Sequence, residues 1–229
     1  MESTGKPQTL SAYGKKAKDL TGDVSKTKKL TTPAFSICVY CGSRTGDDPG
    51  FAAVAKQVGS WIGQRGGQLV YGGGRNGLMG MVADATLAAG GRVIGVIPKA
   101  LVDKEQAHHG CSELHIVDSM HERKRIMAEH ADAFLALPGG IGTFEEFFEV
   151  WTWRQLGYHN KPIGLLNVNG YYDSLLAFLQ SSVHAGFMSS GLLTLITEAT
   201  EAERLLENLV KNAGLTATSL KSKQPLEQI

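Results

Sequence analysis

The sequence predicts a single α/β domain: a Rossmann-like, doubly wound parallel sheet with helices on both faces. Three observations predict it. Short apolar runs of strand length alternate with segments of helical periodicity along most of the chain. The strand-like runs are nearly continuous in hydrophobicity, as in strands covered on both faces. Two of them, ending at Tyr71 and Leu137, pass straight into glycine-rich turns that open helices. In such sheets ligands bind at the carboxyl ends of the strands, near a switch in strand order.

Taken in order, strands are expected at Phe35–Tyr40, Gln68–Tyr71, Arg92–Ile97, Glu113–Val117, Ala133–Leu137, Ile163–Asn167 and Leu192–Thr197. Helices are expected at Pro49–Gln64, Leu78–Ala89, Met120–Ala131, Thr143–Leu156, Tyr172–Ala185 and Glu201–Asn212. Several starts are marked. Asp48-Pro49 supplies an N-cap with proline at the first helical position. Ser119-x-x-Glu122, Thr143-x-x-Glu146 and Thr200-x-x-Glu203 have the form of capping boxes, in which a hydroxyl and a carboxylate satisfy each other's orphan amides.

The 229 residues suffice for one such domain with a good core. Residues 1–33 stand apart: seven lysines face three acids among Ser, Thr and Gly, with no apolar segment. They are expected to form a disordered basic tail, followed by the domain over 34–212 and a flexible tail over 213–229. The whole chain carries +1; removing the +4 of the tail leaves the domain near −3. That balance lacks the positive footprint of a duplex-binding protein, and no basic, aromatic-rich face suggests single-strand binding. No apolar run reaches the ~20 residues that span a bilayer. A cytoplasmic protein with neither nucleic-acid nor membrane partner is expected.

The run Leu137-Pro138-Gly139-Gly140-Ile141-Gly142-Thr143-Phe144-Glu145-Glu146 is the most informative. A strand that enters a glycine turn and leaves as a helix aims bare amides at one point, an anion site suited to phosphate. Two carboxylates close behind it suggest a phosphorylated substrate whose chemistry happens next door. Gly72-Gly73-Gly74-Arg75-Asn76-Gly77 fits G-x-G-x-x-G, yet Val96-Ile97-Pro98-Lys99 offers no acid for a dinucleotide ribose. No Gly-Lys-Ser/Thr completes a Walker loop. The turn either serves close packing or lines a mononucleotide pocket. Arg123-Lys124-Arg125 crowd the start of a helix, against its dipole, as a cluster held by an anionic ligand or as a solvated patch. Cys38 and Cys41 lie on a strand at odd separation, hence on opposite faces, and His108-His109-Gly110-Cys111 reads as a loop. Neither a metal nor a cofactor is expected.

Together these residues resemble the LOG ("Lonely Guy") family of cytokinin riboside 5′-monophosphate phosphoribohydrolases. Pro138 to Glu146 follows its P-G-G-x-G-T-x-x-E, and Met120-His121-Glu122-Arg123-Lys124 its M-H-x-R-K. The resemblance covers roughly residues 35–210. It implies hydrolysis of the N-glycosidic bond of a nucleoside 5′-monophosphate, with Arg123 and Glu146 as the catalytic pair. It implies substrate contacts at Glu105, Lys124, Gly140, Ile141, Gly142, Thr143 and Thr152; Ser43, Gly73 and Gly74 complete the expected set. A non-catalytic nucleotide-binding protein on the same scaffold is the alternative. The helix from Thr143 carries apolar bulk beyond one stripe (Phe144, Phe147, Phe148, Val150, Trp151, Trp153, Leu156), so a homodimer or larger assembly is expected across it.

Overall fold

A computed structural model describes residues 32–216. Most of the expected basic tail and the end of the expected C-terminal tail, from 217, lie outside the described residues. Seven parallel strands form one sheet: β1 (Ser36–Tyr40), β2 (Gln68–Tyr71), β3 (Arg92–Pro98), β4 (Glu113–Val117), β5 (Ala133–Ala136), β6 (Ile163–Leu166) and β7 (Ile196–Ala199). The helices are α1 (Pro49–Gln64), α2 (Gly77–Ala88), α3 (Met120–Glu129), α4 (Ile141–Gln155), α5 (Asp173–His184), α6 (Ser190–Leu193) and α7 (Ala202–Asn212).

The spatial order is β4-β3-β2-β1-β5-β6-β7. The chain builds outward from β1 to β4, then returns to the other side of β1 and builds outward again. The switch point is therefore between β1 and β5, paired from Ile37↔Ala133 to Tyr40↔Ala136. Alternate residues of each strand feed opposite faces. Ile37 and Val39 join the core under α1, α2 and α7. Cys38 and Tyr40 join the core under α3, α4 and α5. Burial pushes the Cys38 and Cys41 thiols up in pKa, and all three cysteines are free.

Local signals held at two helix starts. Asp48 Oδ1 accepts from the Gly50 amide at 2.7 Å, and Ser119 Oγ accepts from the Glu122 amide at 3.1 Å, while Glu122 Oε2 takes the amide of Asp118 and leaves the other half of that box unformed. They failed at two others. The α7 N-cap is Glu201, with no side-chain cap, so Thr200 does not form a box. At α4 the N-cap is Gly140, again uncapped, and Thr143 lies inside the helix. The reason is packing: Thr143 is 4% exposed, tucked under Gly139, where a β-carbon would collide with its Oγ1. The last strand also differs. Ser190–Leu193 is a helical turn whose Leu192 carbonyl accepts from Trp151 Nε1 at 3.2 Å. The ladder begins only at Ile163↔Ile196. A short apolar run does not by itself distinguish a buried turn from a strand. No helix among the described residues is long and apolar enough to cross a membrane.

Candidate active site

A cavity of about 660 Å³ opens at the β1–β5 switch point. Three carboxyl-end loops supply most of its wall. Cys41 to Gly46 follows β1, Pro138 to Thr143 follows β5, and Leu101 and Glu105 come from the segment after β3. The first two loops are joined directly: the Gly42 amide donates to the Pro138 carbonyl at 3.0 Å.

One side of the cavity is an anion cradle. The first amides of α4, at Ile141, Gly142 and Thr143, precede the first intrahelical bond, which Phe144 makes to Gly140. No side chain caps them. Tyr171 Oη donates to the Gly139 carbonyl and Tyr172 Oη to the Leu137 carbonyl at 2.6 Å, which steadies the loop from outside. Because α4 starts at Ile141, Glu145 and Glu146 sit one turn behind the amide tips. They do not compete with an anion at the helix end.

The G-x-G-x-x-G turn is spent otherwise. The amides of Leu78 and Met79, which open α2, both donate to the Gly42 carbonyl, at 3.0 and 3.3 Å. A β-carbon at Gly77 would collide with the backbone of Ser43 and Arg44. These glycines bring α2 against the β1 loop, the close-packing alternative.

The same cavity wall holds a charged trio. Arg123 on α3 is 5% exposed, and its Nη2 donates to the Gly72 carbonyl at 3.2 Å. The same nitrogen stands 3.8 Å from Glu105 Oε2 and 3.9 Å from Glu146 Oε1. These are ion pairs too long to be hydrogen bonds. Arg123 Nε and Glu105 Oε2 are buried without a hydrogen-bond partner among the described residues. A β-carbon at Gly72 would collide with the Arg123 guanidinium, so glycine there gives the arginine its place.

Burial drives the protonation state of this trio. It pushes the Glu146 carboxyl up to about 7; Arg123 pulls it back, Glu145 and Glu105 push it further, and Lys124 opposes them. Glu105 is also raised by burial, with Arg123 opposing. Glu146 is therefore balanced between carboxylate and carboxylic acid near neutral pH, as a general base or acid requires.

The expected site residues divide cleanly. Arg123, Glu146, Glu105, Ser43, Gly140, Ile141, Gly142 and Thr143 all line the cavity. Lys124, Thr152, Gly73 and Gly74 do not. Lys124 Nζ is held by Glu145 at 2.6 Å and Glu149 at 2.8 Å. Thr152 is exposed and donates to Phe148 of its own helix. Gly73 packs on Val96 and Ile97, and Gly74 bridges Ala107. The cavity adds Arg44, Phe51, Met120 and Tyr171, which the motifs did not single out as contacts. For Arg44 the available signal was its place just past the first strand. No group of three or more metal-ligating side chains occurs among the described residues.

The comparisons agree with this architecture. Residues 79–209 match the family described as "Possible lysine decarboxylase". Two cytokinin riboside 5′-monophosphate phosphoribohydrolases of Arabidopsis thaliana are 49% and 48% identical to this chain over 173 residues. The matches span 76% of this chain and 80% and 81% of theirs. Among solved structures, a molybdenum cofactor binding protein from Rippkaea orientalis superposes with a TM-score of 0.58 at 22% identity. It covers 78% of this chain and 96% of that one, a likeness of fold alone. With nearly half of the residues identical over three quarters of the chain, and both motifs at one cavity, the chain belongs to the LOG family of cytokinin riboside 5′-monophosphate phosphoribohydrolases.

Proposed function

We propose that this protein hydrolyses the N-glycosidic bond of a nucleoside 5′-monophosphate, a cytokinin riboside 5′-monophosphate or AMP, to free base and ribose 5-phosphate. The observation that carries the reading is the meeting, in one cavity, of uncapped α4 amides and the Arg123–Glu105–Glu146 trio. The amides of Ile141 to Thr143 hold the 5′-phosphate and thereby fix the sugar, which lowers the entropic part of the barrier. As the C1′–N bond breaks, its electron pair leaves with the base and positive charge develops on the ribose, an oxocarbenium-like state. The Glu146 carboxylate stabilises that charge. It also takes a proton from the attacking water, whose hydroxyl goes to C1′; the base gains a proton in exchange. Arg123, within ion-pair reach of both carboxylates, keeps Glu146 ionisable and lends a fixed positive charge to the cavity wall. Glu105 stands in the same wall, a carboxylate suited to a ribose hydroxyl.

The family's older description is not supported by the cavity. No lysine stands in its wall among the described residues, so it offers no amine for a Schiff base.

The outer side of α4 supports a homodimer. Phe144, Phe148 and Trp153 are only half-buried, and Leu156 and Tyr158 beyond the helix are 58% and 76% exposed. A second copy would cover this apolar strip.

The test is a panel of nucleoside monophosphates and the matching nucleosides, assayed for released base and ribose 5-phosphate. Base release from the monophosphates, with adenosine at least about a hundredfold slower, is expected, since the remote phosphate supplies positioning energy. Nucleotide binding without any base release would leave the non-catalytic alternative.

A further inference from the structure

A phosphate monoester carries close to two negative charges at neutral pH, and the cavity wall is not obviously hospitable to it. Three carboxylates, Glu105, Glu145 and Glu146, stand in the wall against two guanidiniums, Arg44 and Arg123. The motif cations are already committed. Arg123 is shared by Glu105 and Glu146, and Lys124 is held by Glu145 and Glu149 outside the wall. Arg44 differs. Among the described residues no carboxylate lies within ion-pair distance of it, and it is exposed to the cavity mouth.

Its backbone is held beside the anion cradle. Arg44 follows β1 by four residues, and β1 neighbours β5, so its loop abuts the loop that opens α4 through the Gly42–Pro138 hydrogen bond. The start of α2 presses on the same loop from the other side, through the Gly42 carbonyl and the bare Gly77. The guanidinium is thus an uncommitted cation on a fixed stalk. Its planar fork of donors suits two phosphate oxygens at once, which a lysine cannot match.

We propose that Arg44 is the residue that makes the 5′-phosphate the preferred handle, pairing with the phosphate that the α4 amides hold. This rests on the reading of the cavity as a nucleoside monophosphate site, and the test separates the two. Ribose 5-phosphate is titrated calorimetrically into the full-length protein and into Arg44→Gln, Arg44→Lys and Arg125→Gln. Arg125 is an exposed arginine paired with Glu129 outside the cavity wall, and it controls for net charge. AMP hydrolysis is followed in parallel.

Arg44→Gln should weaken ribose 5-phosphate by about tenfold or more, the scale of a charge-assisted contact. Arg44→Lys should recover part of the loss, and Arg125→Gln should bind as the wild type does. The KM for AMP should rise more than kcat falls. Wild-type affinity in Arg44→Gln, or an equal loss in Arg125→Gln, overturns the proposal. If the wild type releases no base from AMP yet binds ribose 5-phosphate in an Arg44-dependent way, the hydrolase reading fails and the role of Arg44 stands. If AMP hydrolysis is normal and phosphate binding ignores Arg44, the proposal alone fails.

Discussion

Replacing Glu146 by glutamine should make an inactive protein that is more stable than the wild type above neutral pH. The substitution keeps size and removes the charge that, in the proposed mechanism, faces the developing oxocarbenium. Removing one preorganised electrostatic stabiliser costs about 10²–10³ in kcat, and loss of the base adds to that. The stability effect follows from the same burial. Glu146 rises from an ordinary 4.5 to about 7 in the folded chain. Below 4.5 the carboxyl is neutral folded or unfolded, and its burial carries no ionisation penalty. As pH rises from 4.5 toward 7 the unfolded chain ionises first, so stability is lost progressively, and above 7 the loss is complete. At 1.36 kcal/mol per unit of pKa difference this is about 3 kcal/mol at most. Glutamine escapes it, since no hydrogen bond to Glu146 is lost among the described residues. Base release by chromatography and urea melts at pH 4 and pH 8 provide the assay. The wild-type kcat/KM should climb about tenfold per pH unit below 7 and level off above, as expected for an essential base. A variant with near wild-type kcat, or one less stable than the wild type at pH 8, would refute the reasoning.

Four further outcomes are expected. Gly72→Ala should push the Arg123 guanidinium off its carbonyl partner and lower kcat by about tenfold or more, while melting temperature moves little because the displaced atom ends a long side chain. Lys124→Met should move the midpoint of the pH–rate profile upward, because Lys124 is one of two cations that lower Glu146; an unmoved midpoint would remove Lys124 from the site's electrostatics. His108→Ala should cost about 1–3 kcal/mol in urea denaturation. The buried ring joins Asp84 of α2 at 2.9 Å to the Gly110 amide at 3.1 Å and so ties down the segment that carries Glu105. Light scattering at micromolar concentration should report at least twice the monomer mass; a fully active monomer would exclude the α4 interface.

Much of this was legible because it is local. The passage from an apolar run through Pro138-Gly139-Gly140 into a helix is a short-range pattern, and its backbone meaning does not depend on the rest of the fold. The start of α4 was misread for a reason that is not local. Thr143 and Glu146 have capping-box spacing, but the hydroxyl is drawn under Gly139 by packing, and the helix begins two residues earlier, at Ile141. Arg44 and Tyr171 became site residues only because β5 lies beside β1, a permutation of strand order that no single segment encodes.

Lys124 and Thr152 mark the limit more sharply. Adjacent residues on a helix point about 100° apart, so Arg123 and Lys124 do not both face one cavity. Arg123 turns toward β2 and the Gly72 carbonyl, and Lys124 is left to the carboxylates of α4. Thr152 is six residues past Glu146, about 9 Å along α4 and well around its circumference. The sequence crowds Arg123, Lys124 and Arg125 into α3, yet the rotation of that helix about its axis leaves Arg123 alone of the three in the cavity wall. The rotation is set by what α3 packs on the sheet: Arg123 and Met127 fully buried, Ile126 and Ala128 partly. With a buried arginine in so short an apolar face, the sequence offers no clean stripe from which that orientation could be read. Which of Arg123 and Lys124 enters the cavity wall is thus a tertiary property, and it leaves Lys124 to bias Glu146 by charge from outside that wall.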